Sequence, residues 1–467
     1  MIHKLTLFIL FVLAAGIAFA QQKKIPFEKY GVAEGLPEEV AINPIQDDKG
    51  FIWFGTQNGL VKYDGYSFKV FKASSNKTDS TILQMRSQWG GLIKAKDGKI
   101  WIAGESSGIT SFDPITEKFQ NFYTVDHTPI ASDRMMSELL LEDETGNIWF
   151  GGGSYLDTKF RTYRLNPLTG NIKEYPITGM YAFQRFVKRF GTVESSGTIW
   201  MIDDKNNLQR LNFQKDSFEI IIPAGKDILL SGHADTIRML SKATENRLLL
   251  SGSHGIYIFD CKTQNVVKSY VHQSQNANGI ADSTTYAIED QNGQLWVAHR
   301  NGILSMIDPV SDNIQTFTYG SSLFPYQKGI EEIQYFFVLA QNKESILFQA
   351  WSGLGKPTFF IQYDCVKKLF NFFDYNFNLS GNPLPQNPIP YDYLQDRTGL
   401  LWLGTRPGLY KQAPKKLQMD LFRFREDDPG SLPSDSIRYL FEDSKKRMWV
   451  GTTNGLALYQ PGQENFK

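Results

Sequence analysis

Gln46-Asp47-Asp48-Lys49-Gly50-Phe51-Ile52-Trp53-Phe54-Gly55-Thr56-Gln57-Asn58-Gly59-Leu60 reads as one strand held between two turns. Asp47 to Gly50 is a turn: the aspartate side chain bonds nearby backbone N–H groups, and the glycine supplies a positive φ. Phe51 to Thr56 is a short apolar strand, and Asn58-Gly59 is the strongest short hairpin signal. Working outward, Ala41 to Gln46 is a strand before the turn, Leu60 to Asp64 one after it, and Ser67 to Phe71 a fourth.

The same text returns along the chain. Gly98-Lys99-Ile100-Trp101-Ile102-Ala103-Gly104 and Gly146-Asn147-Ile148-Trp149-Phe150-Gly151 repeat it, as do the stretches around Trp200, Trp296, Trp402 and Trp449. Leu249 and Leu347 take the tryptophan place in two degenerate copies, giving nine anchors spaced 47 to 55 residues apart. Seven of the nine tryptophans sit on this lattice, which makes them packing residues between units before anything else. No segment sustains a 3.6-residue period, so a helical solenoid is excluded. Four-stranded units of about 50 residues, with a tryptophan and turn glycines in each, are blades of an all-β propeller.

Nine blades exceed the usual four to eight per ring, so the chain is expected to divide. Ile25 to Tyr30 looks like a fourth strand placed ahead of the first blade, able to close a ring by pairing with its last blade. The division expected is a seven-bladed propeller over 21–367 and the first two blades of a second, incomplete propeller over 368–467. The chain stops at Gly462 to Lys467, where another fourth strand is due, so a truncated product or fragment is expected, with exposed strand edges. At the other end, Lys4, the apolar run Leu5 to Ala18 and Ala18-Phe19-Ala20 describe a signal peptide over 1–20 cleaved after Ala20, which implies export to the periplasm.

Composition narrows the function classes. Forty-nine basic residues balance 49 acidic ones, which removes the electrostatic footprint of a nucleic-acid binder. Two cysteines cannot build a disulfide framework or a four-cysteine zinc site. Cys261 and Cys365 follow the aspartates that end equivalent strands two blades apart, beyond bridging distance, and are expected to remain thiols. The six histidines show no metal-ligand spacing, and the Asp-rich turns lack the alternating carboxylates of a calcium loop, so no metal or cofactor is expected. Gly104-Glu105-Ser106-Ser107-Gly108 matches the nucleophile pattern G-x-S-x-G, but it occupies a strand-to-strand hairpin rather than the strand-to-helix elbow that chemistry requires.

Glu34-Gly35-Leu36-Pro37, the stretch Gln46 to Leu60 and Tyr63-Asp64-Gly65, together with Ser431 to Arg438, Glu442-Asp443 and Trp449 to Leu456, resemble the two-component regulator propeller family. The resemblance covers 25–467. It implies the periplasmic sensor half of a hybrid two-component receptor: two seven-bladed propellers and an immunoglobulin-like domain, then a membrane helix and a histidine kinase. Relatives of this kind commonly sense oligosaccharides. The resemblance is specific for the repeat and not for the ligand, and signal output is expected to lie outside this stretch.

A ligand site is sought where the repeat breaks its own rule. Eleven residues before each anchor, on the innermost strand, stand Ile42, Gly90, Glu138, Arg189, Arg238, Thr285 and Phe336. Read as a channel wall, Glu138, Arg189 and Arg238 form a polar patch for an anionic or hydroxyl-rich ligand, or a local ion pair. Trp89 and Trp351 lie off the lattice and are candidate stacking residues, or core. Long loops such as Tyr123 to Met136 and Val271 to Thr284 share a face with the Asn-Gly hairpins. The expected function is a sensor propeller that binds a carbohydrate-like ligand without transforming it, with no catalytic residues, no nucleic-acid partner, a membrane link only beyond this stretch, and homodimerisation left open. The alternatives are a secreted propeller enzyme on polysaccharide, or a protein-interaction scaffold. Glycoside hydrolysis needs two carboxyls about 5–9.5 Å apart, and the aligned position offers only Glu138.

Overall fold

The computed structural model describes residues 27–57, 59–72, 91–104, 108–123, 135–154, 159–180, 192–193, 198–203, 205–224, 235–244, 246–272, 279–282, 284–300, 302–318, 335–351, 358–373, 389–406, 408–412, 422–460 and 465–467. The expected leader over 1–20 lies outside them. The described strands form nine four-stranded antiparallel sheets, one for each anchor. In the first, Ile42–Gln46, Ile52–Gly55, Gly59–Tyr63 and Phe68–Lys72 follow one another as the sequence predicts.

The middle strands of a blade are covered on both faces, so they read as continuous apolar runs rather than alternating ones. Ile52, Trp53 and Phe54 are all buried. Trp53 and Leu60 pack against Ile100, Ile102 and Phe112 of the second sheet, while Ile52, Phe54 and Val61 pack on the opposite side against Trp402 and Leu409. The lattice tryptophans 53, 101, 149, 200, 296 and 402 are core, as expected.

An aspartate fixes five of the seven lattice tryptophans. Asp47 Oδ1 accepts from the backbone N–H of Lys49 and Phe51, each at 2.9 Å, and Oδ2 accepts from Trp53 Nε1 at 2.8 Å. The same clamp joins Asp143 to Trp149, Asp290 to Trp296, Asp396 to Trp402 and Asp443 to Trp449 at 2.8–3.0 Å. Where a glutamate stands six residues before the anchor, at Trp200, the buried Nε1 has no partner among the described residues. The turn aspartates are thus hydrogen-bonding residues, as read from the sequence.

The division of the chain differs from the expectation. Phe27–Tyr30 is a fourth strand that closes a ring, but it pairs with Gly408–Gln412, beside Trp402, and not with the seventh sheet. The seventh sheet already owns a fourth strand, Leu369–Phe373, within the segment assigned to a second ring. Among the described residues the eighth sheet takes its fourth strand from Phe27–Tyr30, and in the sequence Ala413-Pro414 follows its third strand, where proline cannot continue a ladder. Eight sheets therefore pack side by side in a closed ring. The first compact unit ends at Ala413 rather than near 367.

The closing contact matches those elsewhere in the ring. Lys96 N donates to Glu142 Oε2 and Thr244 N to Glu289 Oε2, each across a blade boundary, and Arg397 N donates to Gln46 Oε1 at 2.9 Å in the same way. Gly408 has φ +123°, and a Cβ there would lie 2.4 Å from the Tyr30 carbonyl oxygen.

The second unit, Pro414–Lys467, holds the ninth sheet, with a small core of Leu432, Val450, Ala457 and Phe466. Its first strand, Ile437–Glu442, is exposed along its length, Tyr439, Leu440 and Phe441 included. Both cysteines are thiols, with no disulfide between them.

Gly408→Val is expected to lower stability by about 2 kcal/mol through strain and a clash with the closing strand, read from the denaturant midpoint; an unchanged midpoint would place ring closure elsewhere. Burial pushes the Asp143 carboxyl up, yet hydrogen bonds from Trp149, Thr145 and Asn147 outweigh it and hold it below its ordinary 3.8. Its stabilisation is therefore present above that value and lost as the pH falls below it. Asp143→Asn, which sets an amide N–H against Trp149 Nε1, should cost about 1–3 kcal/mol at pH 7 and flatten the stability profile below pH 4. Chemical denaturation between pH 3 and 7 measures both.

Candidate functional site

Within a propeller blade the loops entering the first strand and the hairpins between second and third strands lie on one face. On that face the sequence-selected residues fare differently. Arg238 is exposed just before Met239–Lys242, the first strand of the fifth sheet, and its backbone N–H donates to the Ser251 carbonyl at 2.9 Å. Glu138 lies in Met135–Glu142 opposite Gly151, and Trp351 ends Ser345–Trp351 opposite Tyr335; their side chains lie outside the described set. Arg189 and Trp89 lie outside the described residues altogether, so the expected patch of Glu138, Arg189 and Arg238 is represented by Arg238 alone.

The aligned position is also not a uniform channel wall. Ile42 and Phe336 are buried core side chains. Bulges between Ile42 and Ile45, and between Val338 and Ala340, lie between that position and the anchor. A bulge adds a residue and turns the following side chains to the other face, so a fixed count of eleven does not keep a fixed direction.

What gathers beside Arg238 is a polar cluster between the fifth and sixth sheets. Asp235, three residues earlier, is buried and accepts four hydrogen bonds: Oδ1 from the N–H of Thr236 and Ser253, Oδ2 from the N–H of His254 and the hydroxyl of Tyr257, at 2.7–3.1 Å. It pins the hairpin Gly252 to Gly255, and a Cβ on Gly252 would lie 2.1 Å from Asp235 Oδ2.

From the next blade boundary, Gly279 to Asp282 crosses over this hairpin. His254 Nδ1 lies 2.9 Å from Asp282 Oδ1, and Thr284 N donates to the Ser253 carbonyl. His272 N donates to the His254 carbonyl, and His272 Nδ1–H donates to the Ile280 carbonyl at 2.9 Å. Below sits His299, wholly buried, where the first, eighth and ninth sheets carry a hairpin threonine. Its Nε2 is 3.0 Å from Ser305 Oγ, which meets Thr316 Oγ1 at 2.9 Å. Burial pushes the His299 imidazole down to about 4, against a partial opposing pull from Asp282.

Three of the six histidines thus converge where linear spacing gives no signal, because 254, 272 and 299 come from two blades and the loop between them. The available clue is substitution within the repeat: His299 stands where Thr56, Thr405 and Thr452 cap the hairpin by donating to the carbonyls of Gly59, Gly408 and Gly455. Among the described residues no group of side chains could hold a metal ion. Gly104 and Gly108 of the G-x-S-x-G pattern lie between the antiparallel strands Ile100–Ala103 and Gly108–Asp113, not at an elbow, and residues 105–107 lie outside the described set.

Residues 431–454 match the family model for the two component regulator propeller. That stretch carries the two-component regulator propeller repeat. A 73-residue stretch is 37% identical to "Histidine kinase P4" of Formosa agariphila, covering 16% of this chain and 5% of that protein. Among solved structures, the C-terminal WD40 domain of Sif2 overlays 84% of this chain and 99% of its own at a TM-score of 0.50 and 11% identity, a likeness of fold. The extracellular domain of a B. thetaiotaomicron protein described as a hybrid two component system, BT3049, covers 95% of this chain and 73% of its own, with a TM-score of 0.25 and 16% identity. The described residues form an all-β fold of propeller type. No helix among the described residues is long and apolar enough to cross a membrane.

Asp235→Ala leaves four donors without their acceptor in a buried setting and should lower stability by about 3 kcal/mol, read from the thermal midpoint. A shift under about 0.5 kcal/mol would show that the carboxylate does not organise this cluster.

Proposed function

We propose that this chain is the periplasmic, ligand-sensing propeller region of a two-component receptor, and that it binds an oligosaccharide-type ligand on the loop face without transforming it. The match of residues 431–454 to the two component regulator propeller carries this reading. The stretch shared with a histidine kinase supports a kinase as the output of the whole receptor. The leader expected over 1–20 supports export.

The site chemistry supports recognition rather than catalysis. A general base needs a lone pair directed at substrate, and both oxygens of Asp235 are engaged by donors from its own surroundings. Asp282 is tied to His254. Arg238, exposed beside them, offers a forked donor suited to hydroxyl or carboxylate oxygens. Glu138, Arg189, Trp89 and Trp351 complete the proposed ligand-binding set on the loop face and inner strands.

Isothermal titration of the whole chain against glucose-, galactose- and uronic-acid-based oligosaccharides tests the reading. At least one class is expected to bind, and Arg238→Ala is expected to weaken it about tenfold or more with an unchanged melting temperature, since a charged hydrogen bond is worth roughly 1.5–3 kcal/mol. No binding by any class, or equal binding by the variant, would overturn the assignment of ligand class or of site, respectively. Release of shortened sugars from the panel would favour the enzyme reading.

A further inference from the structure

The face opposite the loops carries the turns between first and second strands and those between third and fourth strands. The latter repeat one chemistry. Asp64, Asp113, Asn166, Asp308 and Asp364 each accept, through Oδ1, the backbone N–H of the residue two places on, at 2.8–3.0 Å. The residues so held are Tyr66, Ile115, Leu168, Val310 and Val366, each 75–98% exposed. A single exposed apolar side chain is ordinary on a protein surface, but five at one repeat position are not scattered. The cap explains their direction, because the turn closes on its own polar groups and leaves the apolar side chain at its apex.

The five tips are also grouped. They belong to the sixth, seventh, first, second and third sheets, and the eighth lies between the seventh and the first. At the same place the fourth and fifth sheets carry Gln214, with Phe213 half-exposed before it, and Lys262. Equivalent turns of a closed ring stand at one height around its axis, so the tips form an arc along one side of this face. Phe27 and its ladder partner Gln412 stand in the middle of the arc, because the third strand of the eighth sheet runs from its hairpin to this face. The stretch that holds the apolar run Leu5 to Ala18 therefore enters the ring among the tips.

We propose that this arc seats the ring on a phospholipid surface, with the five tips entering the headgroup layer. Tips on separate hairpins, each beside its own polar cap, offer no continuous apolar core of the kind a protein partner packs against. A fluid surface needs no such continuity. Each prong inserts by itself, and the gains combine because one rigid ring holds all five. Bonding of each tip's N–H inside its turn lowers the cost of taking it out of water. Tyr66 suits the boundary, with an apolar ring and a hydroxyl that stays wet. Beside the tips, Lys69 pairs with Glu117, Lys268 with Asp312 and Lys367 with Asp364, so apolar contact rather than charge drives the seating. The sequence alone places a membrane link only beyond this stretch, and the arc adds one within it.

Flotation with phosphatidylcholine vesicles tests this on the chain from Gln21 to Lys467, in which the leader's own apolar run cannot bind. Co-flotation is expected, and to about the same extent when a quarter of the lipid is phosphatidylglycerol. Ile115→Ser and Leu168→Ser should each weaken partition about tenfold, as withdrawal of one aliphatic side chain from an apolar setting implies, and together about a hundredfold. The thermal midpoint should not move, since both side chains stand in water in the free protein. Lys262→Ser, outside the arc, should bind as the parent does. Absence of co-flotation, equal binding by the double variant, or an equal loss in Lys262→Ser overturns the proposal. Self-association of the parent that the double variant abolishes would assign the arc to a second copy of the chain and overturn it as well. None of these outcomes bears on the ligand reading, which concerns the opposite face.

Discussion

A propeller blade has two apolar faces and is stable only between two neighbours. The structure depends on the ladder that pairs Phe27–Tyr30 with Gly408–Gln412, because it joins the last blade to the start of the chain and leaves no first or last face in the ring. Tyr30 shows how much rests on this strand. Its ring lies near Tyr63, Phe68 and Trp402, so residues from the first sheet and the eighth meet on one side chain of the closing strand. Removing an edge in this way is the general solution to the exposed-strand problem in antiparallel architectures. The ninth sheet shows the contrary case, with aromatic and aliphatic side chains of its first strand in solvent.

Closure also explains where rigidity and variation lie. On one face of the ring the aspartate clamps fix the hairpins, and pairs such as Arg164 with Asp216 and Lys69 with Glu117 tie each rim to the next blade. On the other face the repeat is free to change. There the threonine cap gives way to His299, and the fifth and sixth blades exchange an apolar boundary for Asp235, Thr284, His299 and Ser305. A buried polar network is costly unless its members are bonded. This one is bonded except at His299 Nδ1 and Thr284 Oγ1 among the atoms described, which places its unmet demand directly beneath a loop.

Much of this was legible in the residues. The Asp-x-x-Gly turn, the tryptophan six residues after the aspartate and the Asn-Gly hairpin marked the clearest copies, and the regular spacing located the degenerate ones. Their chemistry is local: an Asx turn, a positive φ and an indole N–H within reach of the same carboxylate. The fourth-strand character of Ile25 to Tyr30 was legible too, but not its partner sheet. Counting seven blades placed the boundary near 367, although Leu369–Phe373 completes its own sheet and Ala413-Pro414 marks the one that is incomplete. Of the candidate site, Arg238 is the residue whose side chain is among those described. Glu138 was chosen by a fixed count along a strand whose pairing shifts between Leu139 and Leu141, and Arg189 lies outside the described residues.

The sequence by itself determined the blade, because its strands pair with their neighbours in sequence, the widest pair being Lys159 with Met180. It also carried the resemblance to the two-component regulator propeller, because the repeat text is matched in 431–454. Only the tertiary structure decided how many blades close, since that turns on a pairing between residue 27 and residue 412, which no local rule reaches. Only the tertiary structure brought together His254, His272 and His299, because their proximity arises from two adjacent blades and the loop that crosses between them.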